Sequence, residues 1–207
     1  MTLSASEVNE LKQAHAETRV LPVVLHRWSP RSFADRDVNP ADLKTVFEAA
    51  RWAASSYNEQ PWRFLVGTRG SDSYQKIFSV LMEFNQMWAR TAPVLILGVA
   101  RNKFSHNESP NVVAQYDLGA AAATLCYQAS ALGLFTHQMG GYDRDAARKV
   151  FAVPDNYIFG AVIALGYQGD PAALPNEQMV AQEVSPRQRK PLGDIVFSAW
   201  DEAADLG

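Results

Sequence analysis

The sequence predicts a single domain that mixes helices with short strands, and three observations carry this. Segments with apolar residues at helical spacing alternate along the chain with apolar or alternating runs too short for helices. At 207 residues, the chain falls where one core or an intertwined dimer is expected. Hydrophobic residues make up 47% and charged residues 20%, the balance of a folded globular chain with ample material for a core.

The elements follow in order. Ala5 to Val20 reads as a helix with Val8, Leu11, Ala14 and Thr18 on one face, and Pro22 should stop it. His26 to Phe33 is irregular. Asn39 as N-cap, Pro40 at the first helical position and Asp42 in the positive first turn announce the next helix, continued by Leu43, Val46, Phe47 and Ala50. Ser55, Ser56, Asn58 and Pro61 break that period, so Ala54 to Pro61 is a loop, and Trp62 to Gly67 alternates as a strand. Ser73 to Arg90 reads as one helix with Tyr74, Phe78, Leu81, Asn85 and Trp88 in a stripe, which leaves Asn85 as a polar residue on an apolar face.

Val94 to Ala100 is almost wholly apolar after Pro93, as suits a strand buried on both faces. A polar loop follows, and Asn111 to Leu132 then reads as a long helix whose Gly119 and Ala120 to Ala123 let another helix approach closely. Leu134 to Gln138 is a brief strand ended by Gly140 and Gly141. Asp143 caps a helix from Arg144 to Phe151, and Tyr157 to Gly166 supplies the last strand. Beyond Gly169 the chain reads as loop, ending in a tail, Pro191 to Gly207, too short for a domain of its own.

Charge and composition exclude several classes. A formal net charge of −3 gives no general attraction for phosphate polymers or anionic lipid, so neither nucleic acid nor a membrane is an expected partner. Cys126 is the only cysteine; it can form no internal disulfide and no thiolate cage. His15, His26, His106 and His137 lack ligand spacing, so no metal site is expected. The first 20 residues carry no secretory pattern and no apolar run approaches bilayer length, so the expected location is the cytoplasm.

Four polar constellations remain. In Arg27-Trp28-Ser29-Pro30-Arg31, Pro30 favours extended backbone, and alternation would put Arg27, Ser29 and Arg31 on one side. Two guanidiniums and a hydroxyl suit a phosphate monoester, although for the segment alone two solvated surface arginines are the commoner reading. Arg187-Gln188-Arg189 is a second pair of alternate arginines, readable as a soluble tail patch. Two such clusters near opposite ends of an acidic chain invite the idea that folding brings them around one phosphate. The Ser55-Ser56-Tyr57-Asn58 loop could bond the edge of a heterocycle or simply turn the chain. Gln138-Met139-Gly140-Gly141 permits close approach of a flat ligand or a plain turn.

The dinucleotide-binding, phosphate-loop, hydrolase-elbow and zinc-protease motifs do not occur. No catalytic acid, base or nucleophile stands out, which fits an enzyme whose cofactor carries the chemistry.

In order and spacing these residues resemble the FMN-dependent nitroreductase family. The likeness runs from Arg27-x-Ser29-x-Arg31-x-Phe33 to Ala54-Ser55-Ser56-x-Asn58-x-Gln60-Pro61-Trp62 and Asn85-x-x-Trp88. It continues through Gln138-Met139-Gly140-Gly141 to Arg187-x-Arg189-Lys190-Pro191, and it covers about Val24 to Phe197. The resemblance implies an α+β fold with a mixed or antiparallel sheet flanked by helices, in an intertwined homodimer with FMN at the subunit interface. Arg27, Trp28, Ser29, Arg31, Arg187 and Arg189 would hold the phosphate and ribityl end. Ala54, Ser55, Ser56 and Asn58 would reach the partner's flavin, Asn85 the pyrimidine edge, and Gln138 to Gly141 the ring near N5.

It also implies hydride transfer from NADH or NADPH and ping-pong reduction of a small electron-poor acceptor such as a nitroaromatic, quinone or enone. A flavin-binding sensor or store, or a specialised flavin dehydrogenase or dehalogenase, stays open as an alternative. Residues 1–22 would form an N-terminal helix, and the tail from Pro191 would contact the other subunit. Trp88 stands where some relatives place a lysine, and the Arg101 to Pro110 loop where larger relatives carry a helical insertion.

Overall fold

The computed structural model of the chain describes residues 3–16 and 18–206. Met1, Thr2 and Glu17 of the predicted N-terminal helix segment, and Gly207 of the tail, lie outside the described residues. Four strands, β1 (Trp62–Thr68), β2 (Val94–Arg101), β3 (Phe135–Met139) and β4 (Tyr157–Gly166), form one sheet in the order β1-β2-β4-β3. Every pairing is antiparallel, which decides between the mixed and antiparallel sheets expected from the sequence.

β2 lies between two layers of side chains, as its apolar run requires. Leu95, Leu97 and Val99 join Val162 and Ala164 of β4 in one core. Val94 and Ile96 join Ile163 and Leu165 in a second core on the other face. The second face is covered by α3 (Pro40–Arg51), through Val46 and Ala50, and by α6 (Ala114–Ala131), through Ala122, Leu125, Cys126 and Ala129. The small residues of α6 let Leu118 reach the sheet, where a Cβ on Gly160 would lie only 2.7 Å from its Cδ2. The first face is covered by α4 (Asp72–Ser79), α5 (Glu83–Ala89), α7 (Arg144–Phe151) and α8 (Glu177–Glu183), which contribute Ile77, Trp88, Ala147 and Met179.

The predicted caps hold: the side chains of Asn39 and Asp143 accept from the backbone N–H groups of Ala41 and Ala146 at 2.9 Å each. Several boundaries differ from the sequence reading. The N-terminal helix, α1 (Ala5–Lys12), ends before Gln13, because after the half-exposed Leu11 only the small Ala14 continues the apolar face. Pro22 does not simply stop a helix; it occupies the first turn of α2 (Pro22–His26), where its missing N–H costs nothing.

The predicted single helix from Ser73 to Arg90 is two helices. Val80 to Met82 leave the helix to pair with the chain after β3: Met82 donates to the Gly141 carbonyl at 3.0 Å and Asp143 to that of Val80 at 2.8 Å. The loop expected after Gly169 contains α8, capped by Asn176. The tail folds on itself as a hairpin of β5 (Phe197–Ala199) and β6 (Glu202–Ala203). Its Leu192, Ile195 and Trp200 are exposed, Trp200 to 94%.

Candidate functional site

The segment from Arg27 to Arg31 alternates as its sequence suggested. Trp28, Pro30 and Ser32 are buried, while Arg27, Ser29 and Arg31 face outward to different degrees. Arg27 Nη1 donates to Ser29 Oγ at 3.3 Å, and Arg31 has its Nε buried without a hydrogen-bond partner among the described residues. The Trp28 side chain points away from this surface: its Nε1 donates to Asn9 Oδ1 at 2.9 Å, and its ring lies edge-on to Phe135 and under the Lys12 ammonium. Only the backbone of Trp28 remains for a ligand.

The second arginine pair arrives beside the first. Arg187 is half-buried, and its Nη1 donates to the carbonyls of Leu25 at 2.5 Å and Lys12 at 3.1 Å. This plants it next to the start of the Arg27 segment. Burial, then the charges of Arg189 and Arg27, lower its pKa, though a guanidinium stays protonated at any working pH. Like charges gathered this way repel one another, and an anion among them would relieve the repulsion. Arg189 is exposed, its only protein bond among the described residues running to the carbonyl of Gln188.

Three groups behind this surface escaped the sequence reading. Glu183, 1% exposed, accepts from the backbone N–H groups of Arg31 at 2.9 Å and Ser32 at 3.0 Å. Burial raises its pKa, opposed by those bonds and by the charges of Arg31 and Lys12. Lys12 Nζ, also buried, donates to the carbonyls of Gln182 and Ser185. His137 Nδ1 donates to the Pro30 carbonyl at 2.9 Å, and its ring lies 4.5 Å from that of Trp88. Burial above all, with the charges of Arg31 and Arg27, lowers its pKa to about 4, so this imidazole is neutral. None had a sequence signal: Glu183 lay in a stretch read as loop, and Lys12 and His137 are single residues whose neighbours are distant in the chain.

Asn85 and the glycine pair come together. Asn85 Nδ2 donates to the Gly141 carbonyl at 2.9 Å, and a Cβ on Gly141 would lie 2.8 Å from that nitrogen, whereas one on Gly140 would meet open space. Gln138 is exposed, its amide near Cys126 Sγ at 3.5 Å. The Met139 side chain is buried in the core, so only its backbone faces outward. Trp88 is 1% exposed and stacks on Phe33; it belongs to the core.

The Ser55 to Asn58 loop lies apart from the arginines, at the start of α6. Ser55 Oγ accepts from the Gln60 N–H at 3.0 Å, and the Ser56 N–H donates to Asp117 Oδ2 at 3.1 Å. Tyr57, Asn58 and Gln60 all have φ near +50°, a left-handed backbone that costs non-glycine residues on the order of 1 kcal/mol or more each. Ala54, Ser55 and Ser56 line a shallow recess of about 400 Å³ with Val113, Tyr116, Asp117 and Ala120. Two larger clefts, one of about 560 Å³ between Phe33, Arg69 and Gln168 and one of about 470 Å³ beside Leu174 and Val180, are lined by none of the four predicted arginines. Within one chain, then, the structure unites the two arginine pairs, and Asn85 with the glycines, but leaves the serine loop separate.

The Nitroreductase family model matches residues 24–86 and 71–167. The chain belongs to the nitroreductase family. An Archaeoglobus fulgidus relative, provisionally named an NADH dehydrogenase/NAD(P)H nitroreductase, is 30% identical over 154 residues, 72% of this chain and 86% of its own length. A solved oxidoreductase containing FMN superposes with a TM-score of 0.84 at 35% identity, over 90% of this chain and 95% of the other. A Desulfovibrio desulfuricans protein, provisionally titled a nitroreductase and solved in complex with FMN, gives 0.70 at 26% identity, over 89% and 98%. The nitroreductase α+β fold is therefore this chain's fold, and the family makes it an oxidoreductase. No helix among the described residues is long and apolar enough to cross a membrane.

Proposed function

We propose that this chain is an FMN-dependent oxidoreductase that draws electrons from NADH or NADPH and reduces a small electron-poor acceptor. One observation carries the reading: arginines from opposite ends of the chain, Arg27 and Arg31 with Arg187 and Arg189, gather on one surface. There the Arg31 Nε is buried without a partner among the described residues, and Arg187 feels the charge of its neighbours. Such a surface fits a phosphate monoester, which accepts charge-assisted bonds from several guanidiniums. Relatives solved with FMN at 35% and 26% identity support the same cofactor.

When bound, FMN would supply the two-electron chemistry between a nicotinamide donor and the acceptor. The chain's residues bind and orient. The four arginines and Ser29 would hold the phosphate end, with the Trp28 backbone alongside. Asn85 would meet the pyrimidine edge, where donors stabilise the negative charge that reduction develops. Gln138 and the backbone of Met139 to Gly141 would lie beside the ring, open at Gly140 because no side chain fills that space.

The serine loop belongs to the same reading through a second copy of the chain. Ala54, Ser55, Ser56 and Asn58 would serve the partner's flavin in a homodimer. Supporting this, Tyr116 and Val112 near the start of α6 are exposed, and the exposed apolar hairpin of the tail is suited to lie on another subunit. Residues 1–207 would then act as one FMN-binding domain, completed by its partner.

The test is anaerobic addition of NADH or NADPH to the purified yellow protein. Loss of the flavin absorbance, restored by a quinone or nitroaromatic, is the expected result. A yellow protein that neither donor bleaches would instead be a flavin-binding protein without turnover, and a protein that binds no FMN would end the proposal.

A further inference from the structure

The arginine surface rests on a buried polar frame. Glu183, the last residue of α8, places its carboxylate against the extended segment that carries Arg27 and Arg31, taking the Arg31 N–H on both oxygens at 2.9 and 3.1 Å and the Ser32 N–H at 3.0 Å. Among the described residues no helix or sheet ladder meets these two N–H groups; the carboxylate is their acceptor. Without that acceptor the two N–H groups would be left unsatisfied, and the extended segment would lose the bonds that hold its backbone in place. The Ser32 hydroxyl adds a bond to the Asp170 carbonyl at 2.6 Å.

The same end of α8 reaches the second arginine pair. Lys12 Nζ binds the carbonyls of Gln182 and Ser185, on either side of Glu183 in sequence. The Lys12 carbonyl in turn accepts from Arg187, which also binds Leu25 ahead of Arg27. Glu183, Lys12 and Arg187 thus link α8, α1 and both arginine segments, with the Glu183 carboxylate among the cations Lys12, Arg31 and Arg187.

We propose that Glu183 is a positioning residue for the anion site: its carboxylate fixes the Arg31 to Ser32 backbone so that the two arginine pairs face one phosphate. This rests on the reading of that surface as the FMN phosphate site. The carboxylate is buried behind the guanidiniums, so its effect would pass through them and be felt by the phosphate, not by the flavin ring.

The experiment titrates flavin-depleted full-length wild type, Glu183→Gln and Arg31→Ala with FMN and with riboflavin, which lacks the phosphate. The carboxamide of Glu183→Gln nearly preserves shape but removes the negative charge and sets an amide N–H in place of the second oxygen beside the Arg31 N–H. Glu183→Gln is expected to weaken FMN by about tenfold or more, the loss of a charge-assisted contact, while riboflavin affinity stays within about twofold. Equal weakening of both flavins would mean a general structural role and overturn the proposal. Unchanged FMN affinity in Glu183→Gln, with Arg31→Ala weakened, would overturn it while leaving the phosphate reading intact. Wild type that prefers riboflavin or binds neither would overturn both. If Glu183→Gln fails to fold, hydrogen exchange of flavin-free wild type decides. Slow exchange at the Arg31 and Ser32 amides is expected, and exchange as fast as in an open loop would refute the claim.

Discussion

Replacing His137 with glutamine and lowering the pH tests the electrostatics behind the arginine surface. The imidazole is held neutral, its pKa lowered from 6.5 to about 4 by burial first and by Arg31 and Arg27 next, against the opposing bond to the Pro30 carbonyl. The unfolded chain takes up this proton near pH 6.5; the folded chain resists until about pH 4. The associated stability is therefore complete above pH 6.5 and is lost as the pH falls toward 4. A difference of this size corresponds to about 3 kcal/mol, at roughly 1.4 kcal/mol for each pH unit. Glutamine can keep a donor for Pro30 but takes up no proton. Urea unfolding of flavin-free wild type and His137→Gln at about pH 7, 5.5 and 4 should show wild type losing about 3 kcal/mol relative to the variant. A gap between the two proteins that stays constant with pH would refute the reasoning.

Gly67→Ala should be among the most damaging small changes in the fold. The added Cβ would lie 2.3 Å from the Tyr74 backbone nitrogen and 2.4 Å from its Cα, so α4 must move off β1. A loss of about 3 kcal/mol is expected in urea unfolding, and a loss below about 0.5 kcal/mol would contradict the packing. Cys126 is buried, and that burial raises its thiol pKa; native protein should react with a disulfide reagent far more slowly than urea-unfolded protein, as stopped absorbance readings would show. Ending the chain after Lys190 removes the exposed apolar hairpin, and light scattering should then show weaker self-association together with lower flavin content.

The parts of this fold that were legible share a local cause. Asn39-Pro40 and Asp143 mark helix starts because a cap acts on N–H groups two or three residues away, and β2 is visible because burial on both faces leaves an unbroken apolar run. The arginine pairs were legible as chemistry for a related reason: alternation in an extended segment puts Arg27, Ser29 and Arg31 on one side. What sequence could not supply was set by distant partners. Val80 to Met82 leave the helix to bond Gly141 and Asp143, although their apolar spacing is helical. The same spacing placed Asn85 on the stripe but not its bond to Gly141. Glu183 lay in a stretch read as loop, and α8 folds it against a segment 151 residues earlier. Trp28 and Met139 sit within motif runs whose neighbours face outward, yet their side chains belong to the core.

A crystal structure of the protein grown with FMN tests the central claim most directly. The account predicts the phosphate within hydrogen-bond distance of guanidiniums from both the Arg27–Arg31 and the Arg187–Arg189 segments of one chain, with Ser55 to Asn58 of a second chain reaching the same flavin. A phosphate held by neither pair, or crystals that take up no FMN, would contradict it.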